Sequence, residues 1–130
     1  MGCVIDVRCK KCEFKFSASL GGGMRFHKLR CDKCGKSKEI SFDELGELHY
    51  RYLKGSSGPY STATMKHDKY VQDNFTGEPI SYEEYHAEIE KRMKECKCGG
   101  KFTFKAKPRC PFCNSDDFDE IEGGPIMFYD

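Results

Sequence analysis

Short alternating stretches open and close this chain, and helical spacing governs its middle. Cys3-Val4-Ile5-Asp6-Val7-Arg8 is rich in β-branched residues and predicts a first strand. Glu13-Phe14-Lys15-Phe16-Ser17 alternates with period two, which places Phe14 and Phe16 on one face. After the flexible break Leu20-Gly21-Gly22-Gly23, Met24 to Arg30 predicts a returning strand with Phe26 and Leu29 inward, and Lys38-Glu39-Ile40 a short closing strand. Ser41-Phe42-Asp43-Glu44 is a capping box, and Phe42, Leu45, Leu48, His49 and Tyr52 follow at helical spacing. One helix is therefore predicted from Phe42 to Leu53, ended by Gly55. A second capping box, Ser81-Tyr82-Glu83-Glu84, opens a helix from Tyr82 to Glu95 that carries the stripe Tyr82, Tyr85, Ile89 and Met93. Lys101-Phe102-Thr103-Phe104-Lys105 alternates again, and Gly123-Gly124-Pro125 is placed to turn a final hairpin in the tail.

This pattern gives a small α+β protein in three parts: 1–54, 55–80 and 81–130. The central part reads as a loop or linker, because Gly55 to Pro59 has loop composition and Met65 to Phe75 has too little apolar content for more than a short helix. The apolar supply is thin throughout, at 38% hydrophobic residues and a mean hydropathy of −0.71. Chains so poor in core material are commonly held by metals or disulfides.

Nine cysteines supply that means. Eight of them form four close pairs: Cys9 with Cys12, Cys31 with Cys34, Cys96 with Cys98, and Cys110 with Cys113. The start Met1-Gly2-Cys3-Val4-Ile5-Asp6 lacks the basic and apolar segments of a secretory signal, and no run reaches the roughly 18 apolar residues of a membrane span. A reducing, cytoplasmic setting without membrane partners is expected, where close pairs are metal ligands more often than disulfides. Taking pairs in chain order, Cys9, Cys12, Cys31 and Cys34 make one site, with eighteen residues between its pairs. Cys96, Cys98, Cys110 and Cys113 make the other, Gly99 and Gly100 easing its shorter first turn. Four thiolates suit a tetrahedral zinc ion, so two Zn2+ are expected; four thiolates also suit a rubredoxin-like iron. The ninth, Cys3, reads as a small buried apolar residue on its strand.

Cys98-Gly99-Gly100-Lys101-Phe102 and Arg109-Cys110-Pro111-Phe112-Cys113-Asn114-Ser115 resemble the two knuckles of a zinc ribbon with a β-hairpin between them. Cys9 to Gly35 resembles a looser second example. The resemblance implies two zinc ribbons joined by a helical middle; it spans about half the chain, and members of that superfamily contact nucleic acid, dock subunits or simply staple a fold.

Charge is what separates these roles. Residues 1–41 carry ten Lys and Arg against four Asp and Glu, although the whole chain has a net charge of only +1. Lys10, Lys11, Arg25, Lys28, Arg30, Lys33 and Lys36 gather around the first pairs and are candidate contacts to phosphates, with Phe26 nearby to stack. No nucleophile triad, phosphate-binding loop or helical metal-hydrolase motif is present, and a fully thiolate-bound zinc has no open position, so no enzyme and no small-molecule substrate are expected. His67-Asp68 is the one side-chain pair suggestive of proton transfer. Three functions follow: a zinc module contacting nucleic acid or a nucleic-acid-handling complex, a protein–protein adapter using the middle helices and aromatic tail, or a redox iron protein.

Overall fold

In the computed structural model, which describes residues 2–129, strands lie at both ends and helices fill the middle. Strands β1 (Gly2–Cys9), β2 (Lys15–Leu20), β3 (Phe26–Cys31) and β4 (Ser37–Ser41) lead into helices α1 (Phe42–Leu45), α2 (Glu47–Lys54), α3 (Met65–Asn74) and α4 (Tyr82–Arg92). Then come β5 (Phe102–Thr103), β6 (Phe118–Glu120) and β7 (Ile126–Tyr129). This is the expected α+β class. No helix among the described residues is long and apolar enough to cross a membrane.

Two antiparallel sheets share one plan, β2-β1-β6 and β4-β3-β5. In each, a hairpin turns on a Cys-x-x-Cys pair. The free edge of its first strand then receives a strand from the far end of the chain: β1 takes β6, and β3 takes β5. The units are nested. An outer unit of β1, β2, β6 and β7 encloses an inner unit of β3, β4 and β5 along the chain, and the inner unit encloses the helices.

Several expectations change at this level. The tail forms no hairpin: β6 and β7 both pair with β1, at Val7↔Glu120 and Ile5↔Ile126. They are one interrupted strand, and residues 121–125 bulge out opposite Asp6, whose carbonyl accepts the Ile121 amide at 3.0 Å. The helix expected from Phe42 to Leu53 is broken at Gly46, whose φ of 56° and ψ of −122° favour glycine. The last helix ends at Arg92, and Met93 is already extended. Within the span read as a loop or linker, the short helix left open for Met65 to Phe75 is present as α3, held to α2 by Gln72 and Lys54, which donate to the carbonyls of Leu53 and Gln72 respectively. On β3 the inward residues are His27, Leu29 and Cys31; Phe26 shares the other face with Lys28 and Arg30, its ring parallel to that of Tyr129 at 6.5 Å.

Burial is uneven between the units. The inner unit carries the larger core, where Leu29 and Phe102 meet Leu45, Leu48, Ile80, Tyr85 and Ile89 from the helical segment. Among the described residues, the outer unit's apolar cluster buries Ile5, Val7 and Ala18, flanked by Cys3, Phe16, Leu20 and Phe118, and beyond it the buried Cys9 and Cys110 belong to the metal-competent site. Three small side chains contribute at most several kcal/mol at about 2 kcal/mol each, too little to hold a sheet assembled from both ends of a chain.

At the centre of the larger core lies a polar chain. The Tyr85 hydroxyl sits 2.9 Å from His27 Nε2 and 2.7 Å from His49 Nδ1, and all three residues are buried. One hydroxyl proton serves two imidazoles, so Tyr85 donates to one and accepts from the other. Burial drives the His27 pKa down to about 3 and that of His49 to about 4, so both rings are neutral. The unfolded chain gains these protons near pH 6.5. Stability that is fully present above pH 6.5 is therefore lost as pH falls toward 4. Nitrogen-detected NMR at pH 5.5 should show His27 and His49 as neutral tautomers; an imidazolium pattern for either contradicts the network. Tyr85→Phe strands two buried ring nitrogens and should cost about 1–3 kcal/mol in chemical unfolding.

Candidate metal centres and a basic groove

Eight cysteine sulfurs converge in two groups of four, but not in chain order. Cys9 and Cys12 meet Cys110 and Cys113; Cys31 and Cys34 meet Cys96 and Cys98. The expected pairing of neighbours, Cys9 and Cys12 with Cys31 and Cys34, and Cys96 and Cys98 with Cys110 and Cys113, is thus corrected. The reason is strand addition. Adding β6 to β1 lays Phe118 opposite Cys9, and adding β5 to β3 lays Phe102 opposite Cys31, which carries each late cysteine pair to an early hairpin.

The four turns are built alike. Glu13, Gly35, Gly99 and Asn114, each directly after a pair, all have positive φ, between 64° and 88°. The amides of Glu13, Gly35 and Asn114 bond to the carbonyls of Cys9, Cys31 and Cys110 at 2.8–3.0 Å, and Gly99 bonds to Cys96 at 2.8 Å. In return the amides of Cys9, Cys31 and Cys110 bond to Phe14, Lys36 and Ser115, and that of Cys96 to Gly100. Gly100 is required for space as well: a Cβ there would run into the Cys31 sulfur. The turns also hold each other, since Arg109 donates to Asp32 O at 2.8 Å and Asn114 to Lys33 O at 3.2 Å.

Across each site the sulfurs lie 3.4 Å (Cys9–Cys113), 3.6 Å (Cys12–Cys110), 3.3 Å (Cys31–Cys98) and 3.6 Å (Cys34–Cys96) apart. Disulfide bonds of about 2.05 Å are excluded. One tetrahedral ion with metal–sulfur bonds of about 2.3 Å separates its ligands by about 3.8 Å, so each cluster fits a single ion. The arrangement is compatible with zinc-ribbon-like sites.

The thiols are electrically poised for a cation. The Cys12 amide, 3.5 Å from the Cys9 sulfur, leads the contacts that draw Cys9 down to about 6 despite its desolvation. At Cys31 desolvation pushes upward, but the amides of Cys34 and Lys33 prevail and bring it to about 6. Cys12 goes up to about 12: the Phe14 amide favours its thiolate, but burial and the sulfurs of Cys113, Cys110 and Cys9 outweigh it. Cys98 likewise reaches about 12, the crowding by Cys31, burial and its neighbouring sulfurs overcoming the Gly100 amide. Thiolates this close cannot all carry charge unless a cation sits among them.

Outside the clusters, Cys3 packs half-buried on the outer core. His67 Nδ1 lies 3.3 Å from Asp68 Oδ1, but Asp68 is buried and engaged by the Tyr60 amide and the Thr64 hydroxyl at 2.8 and 2.6 Å, a structural role at the start of α3. His49 Nε2 is buried beside a cavity of about 230 Å3 and has no hydrogen-bond partner among the described residues.

The seven candidate phosphate contacts do not form one face. Lys10 is neutralised by Asp117 and Asp119 at 3.6 and 3.4 Å. Arg25 lines the smaller cavity with Asp43 and Asp68. Lys11, Lys33 and Lys36 are exposed at or beside the cysteine turns. Lys28 and Arg30 line a groove of about 430 Å3, together with Lys105 and Lys107. Tyr52, Tyr60, Tyr82, His86 and Phe104 supply its rings, and no carboxylate among the described residues lines it. Sequence reasoning missed Lys105 and Lys107 because the segment 96–130 sums to −1; the local run Lys105-Ala106-Lys107-Pro108-Arg109 was the available signal. A second overlooked signal marked the site grouping: Val7-Arg8-Cys9-Lys10-Lys11-Cys12 is repeated in type by Leu29-Arg30-Cys31-Asp32-Lys33-Cys34. Two copies of one opening turn each await a closing turn.

Replacing Cys9, Cys12, Cys110 and Cys113 together with serine should leave one equivalent of bound metal by native mass spectrometry. Zero equivalents would restore the chain-order grouping, in which this variant damages both sites.

No curated protein and no solved structure matches this chain. A family model, domain of unknown function DUF8255, matches residues 5–119 and so spans both cysteine clusters. The chain belongs to the DUF8255 family.

Proposed function

We propose that this protein is a non-enzymatic module, stapled by two zinc ions in a reducing compartment, that binds nucleic acid in the groove between its two units. Each unit is then a zinc ribbon assembled from a hairpin and a distant closing turn. Four thiolates leave no coordination position for water or substrate, which favours a structural ion over a catalytic one. Zinc, being redox-inert, suits that role; a rubredoxin-like iron is the alternative, and metal analysis of protein made in iron-replete medium separates the two by content and colour.

The observation that carries the nucleic-acid reading is the groove's one-sided charge. Arg30 is half-buried and hydrogen-bonds Ser19 O and Gly35 O at 2.6 and 2.9 Å, yet has no carboxylate partner among the described residues. Lys28 bonds neutral hydroxyls of Ser19 and Tyr129 at 3.2 Å. Part-buried cations with no counter-charge among the described residues favour an anionic guest.

A second reading, the protein–protein adapter, is favoured by β7. Its free edge borders the outer sheet, and Met127 and Phe128 are 68% and 70% exposed. A partner there would add a strand.

The test of the first reading is fluorescence anisotropy with labelled oligonucleotides and the zinc-loaded chain. Four phosphate contacts at about −0.7 per contact predict a log–log salt slope near −3. Replacing Lys105 and Lys107 with glutamate should weaken binding at least about tenfold, whereas Lys10→Glu, already neutralised, should change little. No binding at low salt would contradict the reading.

A further inference from the structure

The groove offers more than charge. Tyr82 is the first residue of α4 and is 58% exposed, although the stripe to which it belongs is otherwise turned into the core through Tyr85 and Ile89. Its ring lies over His86 at 4.1 Å, and His86 stacks on Phe104, also at 4.1 Å. Tyr52 approaches the Tyr82 ring edge-on at 6.3 Å. The result is a ladder of three rings with its inner end anchored at Phe104 and its outer end, Tyr82, open to solvent. The anchor is firm: the Phe104 amide bonds to Glu90 Oε1 at 3.0 Å, tying the strand end to α4.

The same trough carries the cations. Lys28 and Arg30 stand on the outward face of β3, opposite in register to the inward His27 and Leu29. Lys105 and Lys107 follow β5 and are exposed. Ring ladder and cations thus line one space of about 430 Å3, which lies within the usual range of roughly 300–1,000 Å3 for sites that enclose a small ligand.

A duplex would use only part of this. Its phosphates face outward, but its base faces are stacked against one another and closed to a side chain. An unpaired strand presents both, a phosphate backbone for lysine and arginine and a free base face for an aromatic ring. We infer that the groove selects single-stranded nucleic acid, with an unpaired base laid on the open face of Tyr82 and the adjoining phosphates held by Lys28, Arg30, Lys105 and Lys107. This rests on the nucleic-acid reading above and makes it specific. The shared chemistry, a base with phosphate attached, also belongs to a free nucleoside monophosphate; the strand is favoured because four separate cations exceed what a single phosphate can engage.

The experiment compares the zinc-loaded full chain against a 12-nucleotide single strand, the matching duplex, the same strand with abasic sites, a nucleoside monophosphate and inorganic polyphosphate. The single strand should bind at least tenfold more tightly than the duplex, the abasic strand or the monophosphate. Tyr82→Ala should lower single-strand affinity roughly 5- to 100-fold without changing the salt slope, because it removes stacking and no charge. Tyr82→Phe should retain most of the affinity. Both variants alter an exposed ring, and unchanged metal content verifies that they fold. Equal binding of single strand, duplex and polyphosphate, or no loss in Tyr82→Ala, overturns the single-strand inference while leaving polyanion binding intact. Monophosphate binding equal to the strand's assigns the groove to free nucleotides and overturns it too. No binding by any probe overturns the nucleic-acid reading itself.

Discussion

Each metal-competent site joins an early segment of the chain to a late one, and the rest of the structure depends on those closures. Cys9 and Cys113 are 104 residues apart in sequence, Cys12 and Cys110 98 apart; in the inner site the separations are 67 and 62. Closing a loop of this length is entropically costly, and a bond that closes it removes that freedom from the unfolded chain. The outer unit needs such a bond most, because apart from its cysteines the buried apolar cluster described there is Ile5, Val7 and Ala18. The inner unit shares its load with the helices, whose Leu45, Leu48, Tyr85 and Ile89 pack on Leu29 and Phe102.

Nesting explains how so little apolar material orders so many elements. The inner sites and sheet fix the ends of the helical insertion, at Ser41 and Cys96, and the outer sheet then clamps the ends of the inner unit. Turn-to-turn contacts complete the arrangement, with Arg109 and Asn114 of the outer closing turn bonded to the backbone of the inner opening turn at Asp32 and Lys33. The groove is a consequence of this packing: β3 gives one wall, the segment after β5 another, and α4 sets Tyr82 and His86 at its edge.

Much of this was legible along the chain. The capping boxes at Ser41 and Ser81 start helices where expected, both serine hydroxyls accepting the amide three residues on at 3.2 Å. The first four strands follow the β-branched and alternating stretches, and all eight pairing cysteines are metal-competent. What spacing could not supply was partnership. Eighteen residues between Cys12 and Cys31 fit a single site, but the choice between neighbours is made by which strand adds to which edge, a non-local matter. The helix expected across Gly46 failed because a single residue's backbone conformation overrode a good apolar stripe. The network of His27, His49 and Tyr85 was not legible for a related reason: each looks ordinary in its own element, and only packing of β3, α2 and α4 joins them.

The crosswise grouping of sulfurs is the central claim, and cadmium NMR tests it most directly. With 113Cd in both sites, through-bond correlation to cysteine β-protons should connect one cadmium to Cys9, Cys12, Cys110 and Cys113 and the other to Cys31, Cys34, Cys96 and Cys98. One cadmium coupled to Cys9, Cys12, Cys31 and Cys34 would contradict the account.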